Sequence, residues 1–324
     1  MAFGAQDDRC GCSRESVLTF VATPFTSRYL AIVNPAAGGG RARKLLGPAL
    51  ERLRSAGIDV DLRETTASGH AADLARDAWR EGYRRFISVG GDGTSYEIVN
   101  GLFPRDEGGE KPTIAFLPLG TGNSFLRDFS DRGVEYAMES LIAGRSRSCD
   151  VLRLRHKDGV LHYINILSIG FSADVATLRA RRFAHWGEIG YQTAIFLCLA
   201  RFRRRPFPLK ADDDGQIDSR PCLFLTFNNT KFTGGTMMIA PTAASDDGLI
   251  EYVRWGPIGR IGLIRNLPTL YDGTHIQHPL AEVRKVHRVE FHLDAPVDVM
   301  LDGEVITLHC QTLDVLPGAL NVVV

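Results

Sequence analysis

Residues 86–94, Phe86-Ile-Ser-Val-Gly-Gly-Asp-Gly-Thr94, decide how this chain folds. The first four are apolar or small, as in a strand buried on both faces, and the glycines that follow end that strand abruptly. A helix is predicted from about Thr94 to Gly101. A strand that breaks into a glycine turn before a helix is typical of parallel sheets, whose ligands lie beyond the carboxyl ends of the strands.

The same arrangement occurs at two neighbouring predicted strands. The apolar run 29–33 ends at Asn34-Pro35 and the glycines 38–40, and the run 113–117 ends in Gly120-Thr-Gly-Asn123. Between the predicted strands at 29–33 and 86–89, the sequence predicts a helix at 41–56, a strand at 58–63 and a helix at 68–81. Strands that alternate with helices predict a parallel sheet, with three glycine-rich loops meeting at one edge.

After about Cys149 the pattern changes to consecutive strands. They are predicted at 151–155, 160–169, 221–227, 249–254, 286–293, 297–301 and 305–309, with one helical insert over about 173–205. Strands without intervening helices predict a mainly antiparallel second domain. The predicted organisation is a loose extension at 1–28, an α/β domain at 29–148 and a β-rich domain at 149–310.

The composition is that of a neutral globular protein. Lys plus Arg and Asp plus Glu both total 38 among 324 residues, so no overall charge attracts the chain to nucleic acid. No apolar run approaches the roughly 20 residues of a membrane span, and residues 1–28 lack the features of a signal peptide. The six cysteines are scattered, as expected of reduced thiols. We therefore expect a cytoplasmic protein that binds no nucleic acid.

The Gly90–Thr94 loop suits a phosphate group. Glycines let backbone N–H groups approach phosphate oxygens, and the start of the following helix adds positive potential. The Asp92 carboxylate is favourable there only beside a cation or a proton donor, and phosphoryl transfer supplies both. Taken alone, the loop is also compatible with a structural turn. No G-x-x-x-x-G-K-[ST] is present, and no G-x-G-x-x-G precedes an acidic residue at the required spacing, so P-loop enzymes and dinucleotide dehydrogenases are disfavoured.

Five motifs together resemble the diacylglycerol kinase catalytic domain family, which includes sphingosine kinases and bacterial lipid kinases. They are Asn34-Pro-Ala-Ala-Gly38, Gly90-Gly-Asp-Gly-Thr94 with Glu97, Pro118-Leu-Gly-Thr-Gly-Asn123, Asp247-Gly-Leu249 and Asp302-Gly-Glu304. The resemblance covers nearly the whole chain. It implies a nucleotide-binding first domain like that of NAD kinases and phosphofructokinases, a β-rich domain for the lipid, and a last strand at 311–324 that returns to the first domain.

The resemblance implies ATP and Mg²⁺ as cofactors. ATP would contact Asn34, Pro35, Gly38, Thr65, Gly90, Gly91, Asp92, Gly93, Thr94, Ser95, Tyr96 and Thr121. The magnesium ion would bind the Asp247 carboxylate and the carbonyl oxygens of Ala244 and Leu249, which are ligands that suit a hard cation. Without the resemblance, Asp247-Gly248 is an ordinary turn.

Glu304 resembles the family's proton acceptor, with Asp92 as the second catalytic carboxylate. It follows an Asp-Gly turn between two predicted strands, which would hold it at a loop tip. A lipid hydroxyl is a poor nucleophile, so a carboxylate within hydrogen-bond reach helps as the proton leaves. The chain departs from the family pattern at Ser124, where many relatives have aspartate. The position of the magnesium ion or of the acceptor is therefore expected to differ.

The segment 179–210 contains eight basic residues and one acid, interleaved with aromatic and aliphatic side chains. We expect it to lie on an anionic membrane surface, where each basic residue adds roughly 1 kcal/mol of attraction. The residues expected at the lipid are Arg179, Arg182, Trp186, Arg201, Arg203, Arg204 and Arg205. An amphipathic helix packed on the sheet, with its arginines in water, is the alternative.

The sequence therefore predicts an ATP-dependent lipid kinase that phosphorylates a lipid hydroxyl and contacts the membrane peripherally. Two alternatives stay open: a soluble small-molecule hydroxyl kinase of the NAD kinase type, and a catalytically silent lipid-binding module. The 118–123 motif and Glu304 favour the lipid family over the first, and retention of Asp92 and Thr94 disfavours the second. The identity of the lipid (diacylglycerol, a sphingoid base, ceramide or phosphatidylglycerol) and the formation of a homodimer also stay open.

Overall fold

The structure is a computed structural model that describes residues 28–104, 109–120, 123–182, 193–194, 197–198 and 204–324. Strands and helices alternate in the first part of the chain. They are β1 Tyr29–Val33, α1 Arg41–Ser55, β2 Val60–Glu64, α2 His70–Arg80, β3 Arg85–Gly90, α3 Asp92–Leu102, β4 Thr113–Pro118, α4 Ser124–Arg127 and α5 Gly133–Ala143. β1 is buried along its whole length, as expected of a parallel strand with both faces covered.

The remainder of the chain is mainly β. Its strands are β5 Ser146–His156, β6 Gly159–Tyr163, β7 Ile166–Gly170, β8 Leu209–Ala211, β9 Phe224–Asn228, β10 Phe232–Thr233, β11 Met237–Met238, β12 Ile250–Trp255, β13 Ala281–Val286, β14 Arg288–Phe291, β15 Val297–Leu301, β16 Glu304–Leu308 and β17 Cys310–Val323. Its helices include α6 Phe171–Arg182, α7 Arg260–Asn266 and α8 Thr269–Asp272.

These strands form two large sheets. A nine-stranded sheet has the order β2-β1-β3-β4-β17-β14-β8, and β5 pairs with β17 and with β6. β1 to β4 are mutually parallel, and β17 runs parallel to β4 and antiparallel to β5. A six-stranded antiparallel sheet has the order β13-β12-β9-β7-β15-β16. The predicted combination of a parallel α/β region with a mainly antiparallel β-rich region is confirmed.

The prediction of one continuous strand at 160–169 is wrong. The chain leaves the nine-stranded sheet at the end of β6 and enters the six-stranded sheet at β7. The Asp302 carboxylate fixes this crossing, because it accepts the N–H groups of Ile164, Asn165 and Ile166 at 3.0, 3.1 and 2.8 Å. These N–H groups therefore bond to a side chain instead of continuing a strand ladder.

The strand predicted at 286–293 is divided in the same way. β13 belongs to the six-stranded sheet and β14 to the nine-stranded sheet. At the crossing between them, the Asp212 carboxylate accepts the N–H groups of His287 and Arg288, both at 2.8 Å. An aspartate side chain thus marks two of the places where the chain passes between the sheets.

The helical insert predicted at 173–205 does not reach Arg205. α6 covers its start, residues 183–192, 195–196 and 199–203 lie outside the described residues, and Arg205 is extended and paired with Cys222. Pro206 follows, and a residue before proline is disfavoured in the helical conformation. Within the described ranges, no helix has both the length and the apolar character needed to cross a bilayer.

Candidate active site

The strands β1, β3 and β4 lie side by side, so the loops that follow them meet at one edge of the sheet. There they line part of a cavity of about 860 Å³. The lining residues from these loops and from the loop after β2 include Asn34, Pro35, Gly38, Thr65, Gly91, Asp92, Gly93, Thr94 and Gly120. Most of the residues predicted to contact ATP are therefore brought together around glycines that leave the backbone open to a phosphate group.

The loop after β1 is shaped by three consecutive glycines. Gly38, Gly39 and Gly40 have φ angles of 60°, 66° and 86°, in the left-handed region that side chains disfavour. Asn34 supports the turn that precedes them, because its Oδ1 accepts the N–H of Ala36 at 3.0 Å. The glycines at these positions therefore allow the loop to turn sharply from β1 into α1.

The loops after β3 and β4 touch each other through their backbones. The N–H of Gly120 donates to the carbonyl oxygen of Gly90 at 2.9 Å. A Cβ atom built on Gly120 would stand 2.7 Å from the Cα of Gly91. Any side chain at position 120 would therefore push the two loops apart.

Asp92 joins the same two loops through its side chain. Its Oδ2 accepts the N–H groups of Asn123 and Ser124, both at 3.0 Å. Burial raises the pKa of the Asp92 carboxyl, and the hydrogen bonds from Ser124 and Asn123 partly offset this rise. In the structure Asp92 holds the turn after β4 in place, and its role in catalysis stays a prediction.

Ser124, where the chain departs from the family pattern, is buried and connects the glycine loops to a hairpin. Its N–H and its hydroxyl both hydrogen-bond to the Asp92 carboxylate. Its Oγ also accepts the N–H of Gly235 at 3.0 Å, in the turn between β10 and β11. Because Thr233 and Met237 of this hairpin line the cavity, Ser124 positions part of the cavity wall.

Glu304 lies directly beside Gly93, and both residues line the cavity. A Cβ atom built on Gly93 would collide with the Oε1 of Glu304. Burial and, secondly, the neighbouring Glu97 carboxylate raise the pKa of the Glu304 carboxyl. A carboxylate with a raised pKa is a stronger base once it is ionised, which suits a proton acceptor.

Two further carboxylates hold segments around the cavity, and the sequence did not predict these roles. Asp302, only 2% exposed, binds the crossing between β6 and β7, and burial raises its pKa to about 7. Glu97 accepts the N–H groups of Gly69 and Ala71 at 2.8 and 3.0 Å, which fixes the start of α2. Their only sequence signal is their place inside the motifs that contain Glu304 and Asp92.

Another part of the cavity wall is apolar. It consists of Ile166, Phe171, Val175, Leu223, Phe224, Met237, Ile239, Leu263, Leu267, Leu270 and Met300. These side chains come from the six-stranded sheet, from the β10–β11 hairpin and from α6, α7 and α8 with their adjoining turns. The sequence did not identify this wall, because an apolar pattern does not distinguish a cavity lining from a packed core. One cavity therefore combines glycine loops with an apolar region.

Three of the residues predicted to contact ATP do not line the cavity. Ser95 is buried with its Oγ 2.9 Å from the Oγ of Ser88, and Tyr96 is buried in an apolar cluster to which both large sheets contribute. A Cβ built on Gly90 would strike the side chain of Thr94, so this glycine serves the turn itself. Thr121 lies outside the described residues, and contact of all four with ATP stays a prediction.

The predicted magnesium ligands lie apart from the cavity lining. The Oδ2 of Asp247 is 2.5 Å from the Nζ of Lys285, and its Oδ1 accepts the N–H of Leu249 at 3.1 Å. Within the described residues, no group of three or more His, Cys, Asp or Glu side chains could hold a metal ion. Carboxylate and carbonyl oxygens of Ala244, Asp247 and Leu249 fit magnesium chemically, provided that the Lys285 ammonium group releases Asp247.

The residues predicted to contact lipid are only partly described. Arg182 and Arg204 are exposed. Arg205 instead pairs with Asp174, with its Nη2 at 2.7 and 2.6 Å from the two carboxylate oxygens. Trp186, Arg201 and Arg203 lie outside the described residues, as does the side chain of Arg179.

Two domain-family models match the chain. The model described as diacylglycerol kinase catalytic domain matches residues 28–154, and the model described as YegS C-terminal NAD kinase beta sandwich-like domain matches residues 165–324.

The chain is also similar in sequence to several kinases over most of its length. A diacylglycerol kinase of Mycobacterium tuberculosis is 28% identical over 91% of this chain and 94% of its own length. A diacylglycerol kinase of Bacillus subtilis is 26% identical over 86% and 89%. Sphingosine kinase 1 of Arabidopsis thaliana is 24% identical over 86% of this chain and 68% of that protein.

A crystal structure from Bacillus anthracis strain Sterne shares the fold. Its TM-score is 0.74, at 24% identity, over 94% of this chain and 97% of that chain.

Proposed function

The chain contains a match to the diacylglycerol kinase catalytic domain at residues 28–154 and to the YegS C-terminal domain at residues 165–324, and on that premise we propose that it transfers the γ-phosphate of ATP to the hydroxyl group of a lipid. The observation that carries the proposal is the cavity of about 860 Å³, which glycine loops line in one part and apolar side chains in another. Glu304 lines the same cavity beside Gly93. The same cavity would thus hold the phosphate donor, the base Glu304 and the apolar part of the lipid that accepts the phosphate.

The proposed reaction is a direct phosphoryl transfer. A bond forms between the lipid hydroxyl oxygen and the γ-phosphorus, and the bond from that phosphorus to the β,γ-bridging oxygen breaks. The hydroxyl proton passes to Glu304, and ADP leaves with the electron pair of the broken bond. Catalysis of this kind depends mainly on positioning the reactants, which is the proposed role of the loops at Gly91 and Gly93.

A bound magnesium ion would supply fixed positive charge. Ala244, Asp247 and Leu249 would hold it through oxygen atoms after Lys285 has moved away from Asp247.

The apolar wall supports a lipid as the acceptor. Burial of each methylene of an acyl chain contributes about 0.8 kcal/mol, so side chains such as Phe171, Leu267 and Met300 would favour a chain over a polar metabolite. We further propose peripheral contact with the membrane that carries this lipid. The exposed Arg182 and Arg204 are consistent with such contact.

Incubation with radiolabelled ATP and a total lipid extract, followed by solvent extraction, tests the function. We expect label in the organic phase, at a mobility that identifies the lipid class. Label transferred to NAD or another water-soluble alcohol, and not to lipid, would instead indicate a small-molecule kinase. Binding of ATP without transfer to either class would indicate a catalytically silent module.

A further inference from the structure

The helix α7 carries large apolar side chains on two faces. On the inner face, Leu263 lines the cavity, together with Leu267 directly after the helix. On the outer face, Ile261 and Ile264 are 69% and 52% exposed. A helix that packs on a protein needs only one apolar face, so the outer pair is not needed to pack α7 onto the part of the chain that the structure describes.

Basic side chains surround this outer pair. Arg260 and Arg265 belong to the same helix and are exposed. An Nη of Arg204 lies 3.5 Å from a Cβ built on Gly259, which places a third guanidinium group at the start of α7. From 256 to 281 the sequence contains one acid, Asp272, and its carboxylate is bound locally by the N–H and hydroxyl of Thr274.

We propose that the α7 surface, consisting of Ile261, Ile264, Arg204 and Arg265, docks on an anionic lipid bilayer. The two isoleucines enter the acyl region, and the arginines meet the phosphate groups of the lipids. An apolar tip surrounded by guanidinium groups matches the layered chemistry of a membrane interface, with charge outside and hydrocarbon beneath.

This docking rests on the proposed function for its choice of a bilayer, and it extends that function. The wall formed by Leu263 and Leu267 would lie one helix away from the membrane, so a lipid would travel a short distance from the bilayer to the cavity. The α7 surface is also distinct from the 179–210 segment except for Arg204.

Vesicle sedimentation of the full chain without ATP tests the docking. In the double variant Ile261→Ala and Ile264→Ala, alanine keeps the helix favourable but removes most of the apolar surface. The matched control, Leu45→Ala with Ile142→Ala, changes two residues that are 47% and 41% exposed on α1 and α5. On vesicles of phosphatidylcholine with phosphatidylglycerol, we expect partitioning of the α7 variant to weaken at least about tenfold, and the control to match the wild type.

Three results would overturn the proposal. The first is equal sedimentation of the α7 variant and the wild type. The second is equal wild-type binding to vesicles of phosphatidylcholine alone, because the arginines would then have no anionic partner. The third is a wild-type dimer that the variant converts to a monomer in sedimentation velocity, which would make the surface an interface between copies.

The docking and the kinase activity can fail separately. Vesicle binding that is lost in the α7 variant, in a protein that phosphorylates no lipid, would support the docking and contradict the proposed function. An unchanged rise in melting temperature with ATP would show that the variant remains folded.

Discussion

The Glu304 carboxylate occupies the space in which a Cβ at Gly93 would lie. Gly93 is in the first turn of α3, and Glu304 is the first residue of β16. The contact therefore joins the glycine loop after β3 in the parallel sheet to the edge strand of the antiparallel sheet. Because Gly93 has no side chain, the carboxylate of Glu304 can lie directly against it.

Replacement of Gly93 by alanine should displace the Glu304 carboxylate, because the new methyl group needs the same space. We expect turnover to fall up to about 100-fold, the scale seen when a catalytic group is misplaced by about 1 Å. The affinity for ATP and the melting temperature should change little, since the carboxylate can swing away. Gly47→Ala is the control, because a Cβ at Gly47 meets no atom within 4 Å. Equal turnover of the two variants would contradict this prediction.

Replacement of Glu304 by glutamine should remove the proton acceptor while keeping its shape. We expect turnover to fall at least about 100-fold, as is typical for loss of a general base. ATP affinity, measured by calorimetry, should be nearly unchanged, because the proposed role of Glu304 is at the acceptor hydroxyl. Turnover close to that of the wild type would eliminate Glu304 as the base.

The pH dependence of turnover should reflect the raised pKa of Glu304. Only the ionised carboxylate accepts a proton, so turnover should rise with pH through a pKa above the ordinary glutamate value. Glu97→Gln removes the neighbouring negative charge, lowers the pKa of Glu304 and should move this rise to lower pH. Glu135→Gln, a change on the exposed face of α5, is the control and should leave the profile in place. An unshifted profile in Glu97→Gln would show that Glu304 does not set it.

Replacement of Ser124 by aspartate should destabilise this chain. A second carboxylate beside Asp92 in a buried place raises the pKa values of both carboxyls, so the folded state binds protons more tightly than the unfolded state. Stability should then fall as pH rises above the ordinary aspartate pKa, with a loss of about 1–3 kcal/mol at neutral pH that shrinks at about pH 5. Ser124→Ala should cost about 1 kcal/mol at either pH. Urea unfolding at both pH values measures the difference, and a loss that does not depend on pH would refute the charge argument.

Lys285 should compete with magnesium at Asp247. In Lys285→Met the Asp247 carboxylate loses its ammonium partner, so Mg²⁺ should raise the melting temperature at lower concentration than in the wild type. The double change Lys285→Met with Asp247→Asn should abolish that effect. Identical magnesium responses in all three proteins would place any magnesium site elsewhere.

The parts of the fold that depend on neighbouring residues could be predicted from the sequence. The strand at 86–89 and the glycines after it carry their own signal, because burial on both faces and a sharp turn each require particular residue types. The divisions at Ile164 and His287 could not be predicted in this way. They depend on the carboxylates of Asp302 and Asp212, which are distant in the chain from the backbone groups they bind.

In the candidate site, too, the features that depend on residues distant in the chain could not be predicted from the sequence. The glycine loops and Glu304 could be recognised as motifs, whereas the apolar wall depends on how α6, α7 and α8 pack around the second sheet. α5 is not among the predicted helices, although Val134, Ala137, Met138 and Leu141 recur at helical spacing. Its omission does not affect the site, since none of its residues lines the cavity.

The position of β17 determines the order in which this protein can be assembled as it emerges from the ribosome. β4 is made early, but its neighbour on one side is β17, which follows every other strand in the chain. Until β17 arrives, the inner edge of the parallel sheet has unpaired backbone groups that could pair with another nascent chain. The edge of β4 that faces β17 therefore stays unpaired until β17 has been synthesised. Slow translation between β4 and β17 would lengthen this period and increase the demand for chaperones.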